Sequence, residues 1–302
     1  MNIHVIIVTY NGAEWIEKCI TSILNSNIVC KIKIIDNVSS DDTVDIIRKK
    51  FPDITLSITD QNLGFGKANN ILMNEALKAN ADYVFLLNQD AWVEYDTIHG
   101  LIDINQGQPE YGILSPVHLN GQGTALDYNF SHYCNEYDCP GFISDIYLNR
   151  AKEVYDIRFV NAAFWLISRK CLETIGLFDP IFPHYGEDSD YLNRVKKFGF
   201  KIGITPGYRS YHDRGYRAPS VQRQRVLAKL DLLSILKDIN QSYTRALVKV
   251  FFITLKRALK SLISFKFKLT YYTLIDFFAV LGLIPKIRKS RAICYKPGAF
   301  LS

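Results

Sequence analysis

The chain has 302 residues, of which 48% are hydrophobic and 22% are charged, and this balance excludes a disordered or low-complexity protein. The length accommodates one large α/β domain with an appended region. The formal net charge of +6 is unevenly distributed, since residues 1–220 carry −7 and residues 221–302 carry +13. We therefore place a domain boundary near Pro219, which gives domains over 1–219 and 220–302.

The number and spacing of the cysteines predict that the protein works in a reducing compartment. There are six of them, and they form neither a C-x-x-C pair nor the spacing of a metal finger. Cys134 and Cys139 are close enough in sequence to form a disulfide. However, the first residues lead directly into a strand pattern without the features of a signal peptide. We therefore expect free thiols and a cytoplasmic location.

The first 115 residues alternate between strand patterns and helix patterns. Strands are predicted over 3–10, 31–36, 54–59 and 83–87, and helices over 12–25, 41–50 and 66–80. Strands separated by helices of this length predict right-handed βαβ units and a doubly wound, mostly parallel sheet. Ligands of such sheets bind beyond the carboxyl ends of the strands.

Polar residues follow all four predicted strands. In chain order they are Thr9, Asn11, Asp36, Asn62, Gly64, Asn69, Asn70, Asn88 and Asp90. Because parallel strands end at one edge of a sheet, we expect these residues to form one site. Gly64 and Gly66 match part of a dinucleotide fingerprint, but Asn69 occupies the position of its third glycine. A hydride-transfer enzyme is therefore disfavoured.

The middle of the chain changes character. Residues 116–157 are polar and aromatic, and we predict an irregular segment of the kind that forms lids. A strand or strand–helix junction is predicted over 158–170, followed by a helix over 188–198. Three acidic residues, Glu187, Asp188 and Asp190, lie in the first turn of this helix, where the helix dipole favours anions. Asp190 is positioned to pair with Arg194, four residues later.

The C-terminal region predicts a basic amphipathic helix. In residues 245–265, four basic residues (Arg245, Lys249, Lys256 and Lys260) share one side, and apolar residues fill the rest. Residues 269–285 are apolar, but Asp276 interrupts them and they are short for a membrane span. Two kinds of contact remain open for this helix: with an anionic membrane surface, or with protein, which would be the N-terminal domain or a second subunit. No nucleic-acid recognition module accompanies the charge, so a nucleic-acid partner is disfavoured.

Six motifs in order establish a resemblance. They are "IIVTYNG", "IIDNVSSDDT", "NLGFGKANN", "VFLLNQDAWV", "IGLFDPIFPHYGEDSDYLNRVKKFG" and "SYHDRG". Over roughly residues 3–217 the set resembles family 2 glycosyltransferases, particularly the branch of bacterial rhamnosyltransferases and related O-antigen and capsule enzymes. The resemblance implies a GT-A-like fold and inverting transfer of one sugar from a dTDP-, UDP- or GDP-linked donor. It also implies a glycan acceptor linked to polyprenyl diphosphate at the inner face of the plasma membrane.

The resemblance assigns the metal and the base. The family's Asp-x-Asp-type motif corresponds to Asn88-Gln89-Asp90, so Asp90, with His212, would hold Mg²⁺ or Mn²⁺. Asn88 stands where the motif has its first carboxylate. Asp188 would be the catalytic base that takes the proton of the acceptor hydroxyl, and Glu187 would hold sugar hydroxyls.

The resemblance also assigns the donor contacts. Thr9, Asn11 and Asp36 would contact the nucleotide, although Asp36 is equally suited to cap the following turn. Asn62, Gly64, Asn69 and Asn70 would line the diphosphate and sugar, as would Asn88. Arg214 and Arg217 would hold the diphosphate. Asn88 supports one alternative, a catalytically impaired nucleotide- or sugar-binding protein of the same fold.

Overall fold

The computed structural model describes residues 1–215 and 220–301. The strands are β1 (Ile3–Thr9), β2 (Lys31–Asp36), β3 (Thr55–Ile58), β4 (Tyr83–Asn88), β5 (Ala91–Val93), β6 (Tyr111–Asn120), β7 (Tyr155–Asp156), β8 (Phe164–Ser168) and β9 (Lys201–His212). The helices of the first 215 residues are α1 (Ile16–Leu24), α2 (Thr43–Lys50), α3 (Gly64–Lys78), α4 (Thr97–Gly107), α5 (Tyr128–Tyr133), α6 (Phe142–Tyr147), α7 (Arg169–Ile175) and α8 (Glu187–Lys197). The C-terminal helices are α9 (Val221–Lys237), α10 (Tyr243–Ile263), α11 (Phe267–Gly282) and α12 (Ile284–Cys294).

One sheet contains all of these strands, in the order β3-β2-β1-β4-β8-β6-β9-β5, with β7 paired to β9. The four strands β3, β2, β1 and β4 are parallel, which confirms the predicted doubly wound α/β arrangement. Beyond β4 the sheet is mixed, because β8 runs antiparallel to both β4 and β6. Strand β9 then pairs in parallel with β6.

The central strands are buried on both faces, as their continuous apolar runs predict. In β1, Ile6 contributes to the core on one face of the sheet and Ile7 to the core on the other. In β4, Leu86 and Leu87 divide in the same way. Alternate side chains of these strands therefore point into the two cores on opposite faces of the sheet. The polar residues at the strand ends lie at one edge.

The expectation of an irregular segment over 116–157 is wrong for just under half of its length. This stretch contains the end of β6, helices α5 and α6, and strand β7. Asp127 caps α5 by accepting a hydrogen bond from the Phe130 amide at 2.9 Å. The rings of Phe142 and Tyr155 then pack edge to face with centroids 5.3 Å apart. The first contact is a helix cap and the second joins residues 13 positions apart. The polar composition of the segment does not indicate either of them.

The two later predictions are confirmed. Residues 158–170 contain the junction of β8 and α7, where Ser168 caps the helix by accepting from the Cys171 amide at 3.3 Å. The acidic helix start is the beginning of α8 at Glu187. All six cysteines are free thiols, including Cys134 and Cys139.

The C-terminal helices α9–α12 form a third apolar core. Leu236, Val250 and Ile287 belong to it, and Phe182 joins it from the N-terminal part of the chain. The predicted boundary near Pro219 lies outside the described residues. Among the described residues no single helix is long and apolar enough to cross a membrane. Helices α11 and α12 meet that criterion only as a pair bent by 56°.

Candidate active site

The tip of β4 is held against the end of β1 by Gln89. Its Oε1 accepts a hydrogen bond from the Tyr10 amide at 2.8 Å, and its Nε2 donates to the Tyr10 carbonyl at 3.0 Å. A Cβ atom at position 12 would lie 2.3 Å from Gln89 Oε1, so Gly12 provides the space for this clamp. The clamp fixes the two neighbours of Gln89, Asn88 and Asp90, relative to the sheet.

Asp90 and His212 meet although 122 positions separate them in the sequence. Antiparallel pairing of β5 with β9 sets Ala91 opposite His212. As a result His212 Nε2 lies 3.3 Å from Asp90 Oδ1 and 3.4 Å from Asn88 Nδ2. The imidazole is almost completely buried, with 1% of its surface exposed.

These three residues fit a divalent cation. A carboxylate oxygen and an imidazole nitrogen are suitable ligands for Mn²⁺ or Mg²⁺. Neighbouring ligands of an octahedral cation lie about 3 Å apart when each bond is about 2.1 Å, close to the observed oxygen–nitrogen separation. Rotation of the Asn88 amide would present its oxygen to the same point. The donor set therefore agrees with the predicted metal site.

Asp127 completes this group, and sequence reasoning missed it. The Arg214 Nη2 and Nε atoms donate to its two carboxylate oxygens at 2.7 and 2.9 Å. Asp127 Oδ2 also lies 4.0 Å from His212 Nδ1, a buried nitrogen without a hydrogen-bond partner among the described residues. Metal-bound histidines commonly have a carboxylate beside their second nitrogen. The only signal in the sequence was an Asp before a short helix.

Arg214 connects the predicted metal and base groups. Burial by itself would raise the pKa of Asp90, but the hydrogen bond and charge of His212, with Arg214, hold that pKa below its usual range. Arg214 likewise keeps the pKa of Asp127 low despite burial. Its charge also reaches Asp188, where it opposes the effect of burial. A single guanidinium thus lies close to both acidic groups. Arg217 falls outside the described residues.

Glu187 is buried and Asp188 is half-buried, and neither has an ion-pair partner among the described residues. Burial, and secondarily the charge of Asp188, raises the pKa of Glu187 to about 7. Burial also raises the pKa of Asp188 to about 6. Glu187 is 5% exposed, and its Oε2 has no hydrogen-bond partner in the described part of the chain. Two carboxyls that titrate near neutral pH are suited to general base catalysis.

Asp190, two residues further along α8, differs from Glu187 and Asp188 because cations neutralise it. The predicted pair of Asp190 and Arg194 is confirmed at 3.0 Å, and it is buried. Lys237 of α9 is fully buried, and its Nζ lies 2.6 Å from Asp179 and 3.8 Å from Asp190. Asp179, Asp190 and Cys294 are arranged closely enough to be metal ligands, but the Lys237 ammonium already lies among them. This group is therefore structural.

The residues that we expect to bind the nucleotide form hydrogen bonds between the ends of β1 and β2. Thr9 Oγ1 donates to Asp36 at 2.8 Å, and Asp36 accepts the Ser39 amide at 2.8 Å. Asp36 is completely buried and makes the capping contact that the sequence allowed. Asn11 Oδ1 accepts the Ser40 amide at 2.8 Å. Nucleotide binding by Thr9, Asn11 and Asp36 stays a prediction.

The residues after β3 make contacts within the protein. Asn70 donates to the Phe178 carbonyl and accepts its amide, both at 2.8 Å. Asn69 is buried and donates to the Phe65 carbonyl at 3.0 Å. Asn62 Oδ1 accepts the Gly64 amide at 2.9 Å. The structure thus gives these side chains internal partners, and their contact with a donor stays a prediction.

The two glycines of this loop allow close approach of another segment of the same chain. Gly64 has φ +76°, and a Cβ there would lie 2.4 Å from the Pro183 carbonyl. A Cβ at Gly66 would lie 3.3 Å from Phe178 and 3.6 Å from Glu187. The start of α3 is therefore packed directly against the start of α8, beside the candidate base.

Comparison with known proteins identifies the family. The model of glycosyl transferase family 2 matches residues 4–176, more than half of the chain. The chain belongs to glycosyl transferase family 2. Among curated relatives of this family 2 member is dTDP-rhamnosyl transferase RfbF of Shigella flexneri, 24% identical over 228 residues, covering 73% of this chain and 72% of that protein. Another is N-acetylglucosaminyl-diphospho-decaprenol L-rhamnosyltransferase of Mycobacterium tuberculosis, 22% identical over 240 residues, covering 70% and 76%.

Solved structures support the GT-A fold of this family 2 member. Residues 1–349 of S. aureus TarS in complex with UDP align with a TM-score of 0.57 and 16% identity, covering 97% of this chain and 87% of that one. GalNAc-T7 with UDP, GalNAc and Mn²⁺ aligns with a TM-score of 0.56 and 15% identity, covering 80% and 52%. At these identities the likeness is one of fold.

Proposed function

We propose that this protein is a metal-dependent, inverting hexosyltransferase that moves one sugar from a nucleotide-sugar to a glycan acceptor. The observation that carries the proposal is that the charge of Arg214 acts on both Asp90, which pairs with His212, and Asp188, which with its neighbour Glu187 has a raised pKa. A base and a diphosphate-binding group are the two parts that inverting sugar transfer requires.

The chain's own residues supply the following steps. Asp188 accepts the proton of the acceptor hydroxyl as that oxygen forms a bond to the anomeric carbon of the donor sugar. The bond from this carbon to the diphosphate oxygen breaks on the opposite face, so the configuration inverts. Glu187 orients hydroxyl groups beside Asp188, and Arg214 stabilises the negative charge that develops on the departing diphosphate.

Asp90, His212 and the Asn88 amide would hold Mg²⁺ or Mn²⁺, with Asp127 orienting His212. When bound, such a cation neutralises charge on the diphosphate of the donor. Thr9, Asn11 and Asp36 would contact the nucleoside, in keeping with their position at the carboxyl ends of β1 and β2.

The names of the relatives support one choice of donor and acceptor. The names of two relatives specify rhamnosyl transfer, and one specifies a diphospho-decaprenol acceptor. We propose dTDP-rhamnose as the first donor to test, ahead of UDP- and GDP-sugars. The proposed acceptor is a polyprenyl-diphosphate-linked glycan of a bacterial surface polysaccharide, such as an O-antigen or capsule.

The proposed location is the cytoplasm, at the inner face of the plasma membrane. A soluble nucleotide-sugar and a lipid-linked acceptor would meet at that face. The six free cysteines, five of them buried, are compatible with a reducing compartment.

Calorimetric titration of dTDP, UDP and GDP, each with and without Mn²⁺, tests the binding half of the proposal. We expect one nucleotide to bind much more tightly with Mn²⁺. The Asp90→Ala variant should lose this dependence. Asp53→Ala, a matched change at an exposed carboxylate just before β3, at the opposite end of that strand from the site, should retain it. Equal binding with and without metal would contradict the metal assignment.

A transfer assay with dTDP-rhamnose and an N-acetylglucosaminyl-diphospho-lipid tests the catalytic half. Product formation that disappears in Asp188→Asn, with nucleotide binding intact, is the expected result. Tight nucleotide binding without transfer of any sugar tried would favour the alternative, an impaired binding protein.

A further inference from the structure

Helix α10 buries small residues and exposes large apolar ones, the reverse of a helix in a soluble domain. Its buried positions are Ala246, Val250, Thr254, Ala258 and Ser261. Its exposed apolar positions are Val248, Phe251, Phe252, Leu255, Leu259, Leu262 and Ile263. At 100° per residue these exposed residues cover an arc of about 120° along the whole helix, which is about 32 Å long.

Helix α11 continues this surface. Val280 is its only fully buried residue, while Phe267 and Phe278 are 63% and 66% exposed. Phe265, in the turn between the two helices, is 81% exposed. Scattered exposed apolar residues are ordinary, but two helices that pack on each other and both expose large apolar side chains mark an interaction site. We call this set the α10–α11 face.

The charge beside this face is uniformly positive. Lys249, Lys256 and Lys260 occupy the arc next to the exposed apolar arc of α10, and Lys266 and Lys268 lie at the turn. None of these five lysines has an ion-pair partner within residues 1–215 and 220–301. Asp276 is the only acidic residue in positions 240–302, and Arg225 pairs with it at 3.2 Å.

A groove of about 340 Å³ between α9, α10 and α11 opens beside the same lysines. Its arginines are neutralised, because Arg225 pairs with Asp276, and Arg257 with Asp231. Lys260 and Lys266 also line it, and neither has an ion-pair partner among the described residues. The available charge of the region is therefore concentrated at the border of the apolar face.

We propose that the α10–α11 face docks on an anionic lipid bilayer, with the phenylalanines and leucines at the acyl boundary and the lysines among the headgroups. Charge decides between this occupant and a second copy of the chain. Two copies joined through this face would bring ten unpaired lysines together without added acids, whereas anionic lipids neutralise them. The inference is independent of sugar transfer, since it concerns a different surface.

Flotation of the full chain with vesicles tests the proposal. Vesicles of equal parts phosphatidylglycerol and phosphatidylcholine should carry the protein upward, and pure phosphatidylcholine should carry far less. Binding should weaken as salt is added. Because one basic residue near an anionic surface contributes about fivefold, Lys249→Glu/Lys256→Glu should reduce binding by more than about tenfold. Phe251→Ser/Phe252→Ser should reduce it at least as much.

Two control variants carry the same changes elsewhere. Lys49→Glu/Lys170→Glu reverses two exposed lysines outside the face, and Val29→Ser/Tyr147→Ser removes two exposed apolar side chains. Both should bind vesicles like the unmodified chain. Circular dichroism and thermal unfolding of every variant check that it is folded.

Three outcomes would overturn the proposal: no vesicle binding, equal binding to neutral vesicles, or equal losses in the control variants. Sedimentation identifies the rival occupant, because a dimer that Phe251→Ser/Phe252→Ser dissociates would assign the face to a second copy. Flotation requires neither donor nor acceptor, so failure of the transferase proposal leaves this result interpretable.

Discussion

The first turn of helix α8 carries three acids whose surroundings differ completely. Glu187 is buried and Asp188 half-buried, neither has an ion-pair partner within residues 1–215 and 220–301, and their pKa values rise to about 7 and about 6. Asp190, in the same turn, faces Arg194 and Lys237, with Asp179 nearby. Burial alone would lower the pKa of Lys237, but these carboxylates keep it above its usual range, so the lysine stays charged. A buried carboxyl with a cation serves the fold, and one without a cation is available for chemistry.

The largest expected effect concerns the unpaired acids. Asp188→Asn should reduce the rate of sugar transfer by about a thousandfold, since a general base contributes about 10²–10⁴. Nucleotide affinity should change by less than about threefold, because the base contacts the acceptor. Initial rates and calorimetry measure the two quantities. Equal loss of both would show that Asp188 acts in the fold rather than in proton transfer.

The paired acids predict a loss of stability instead. Lys237→Ala leaves Asp179 and Asp190 without their shared cation, and we expect the free energy of unfolding to fall by about 3–5 kcal/mol. Lys50→Ala is the control, since its pair with Glu17 is exposed and contributes at most about 1 kcal/mol. Denaturant titration measures both variants. A small effect of Lys237→Ala would mean that the network is not needed for stability.

Glu187 should destabilise the folded protein at higher pH. Its pKa is about 7 when folded against an ordinary value of 4.5, so the folded chain binds more protons between these values. The stabilising contribution is complete below pH 4.5 and is lost as pH rises through 7. Glu187→Gln should therefore be more stable than the unmodified chain by about 1–3 kcal/mol at pH 8. The difference should vanish near pH 4.5, and a constant difference across pH would contradict this.

The same acids predict the pH dependence of the reaction. A base must be deprotonated, so kcat/KM should fall as pH drops below about 6, the pKa of Asp188. Rate measurements between pH 5 and pH 8 test this. In Glu187→Gln the falling limb should stay near pH 6, because Glu187, with a pKa of about 7, is already neutral where Asp188 titrates.

The smallest effect concerns the metal group. Asn88→Asp restores a second carboxylate beside Asp90 and His212, and we expect Mn²⁺ to bind about tenfold more tightly. Manganese titration followed by electron paramagnetic resonance measures this affinity. Asp53→Asn, at an exposed position away from the group, should leave it unchanged. Unchanged affinity in Asn88→Asp would place the cation elsewhere.

Patterns within short stretches of the sequence correctly predicted the strands and helices that those stretches form. The apolar runs gave β1, β2 and β4, and the acidic cluster gave the start of α8. Convergence of polar residues at one edge followed from parallel pairing, which those runs imply. Asp90 and His212 were brought together only by the family resemblance, since the pairing of β5 with β9 is not visible in either segment.

Partners far apart in the sequence escaped prediction. Nothing around Lys237 indicates that its ammonium would be buried against Asp179, 58 positions earlier. Asp127 lay in a segment whose polarity resembles that of a loop, although its contacts to Arg214 make it part of the site. Asn70 was predicted to face a ligand, and its bonds to Phe178 depend on how α3 packs.

The contact of Gly66 with Glu187 has a consequence for donor choice. Helix α3 begins at the edge where the donor is expected, and Asn70 and Gly66 join it to the segment that carries the base. A bulkier sugar that displaced α3 would carry Glu187 and Asp188 with it. Selectivity would then appear in turnover more than in binding, because a poorly fitting donor would be held with the proton acceptor out of line.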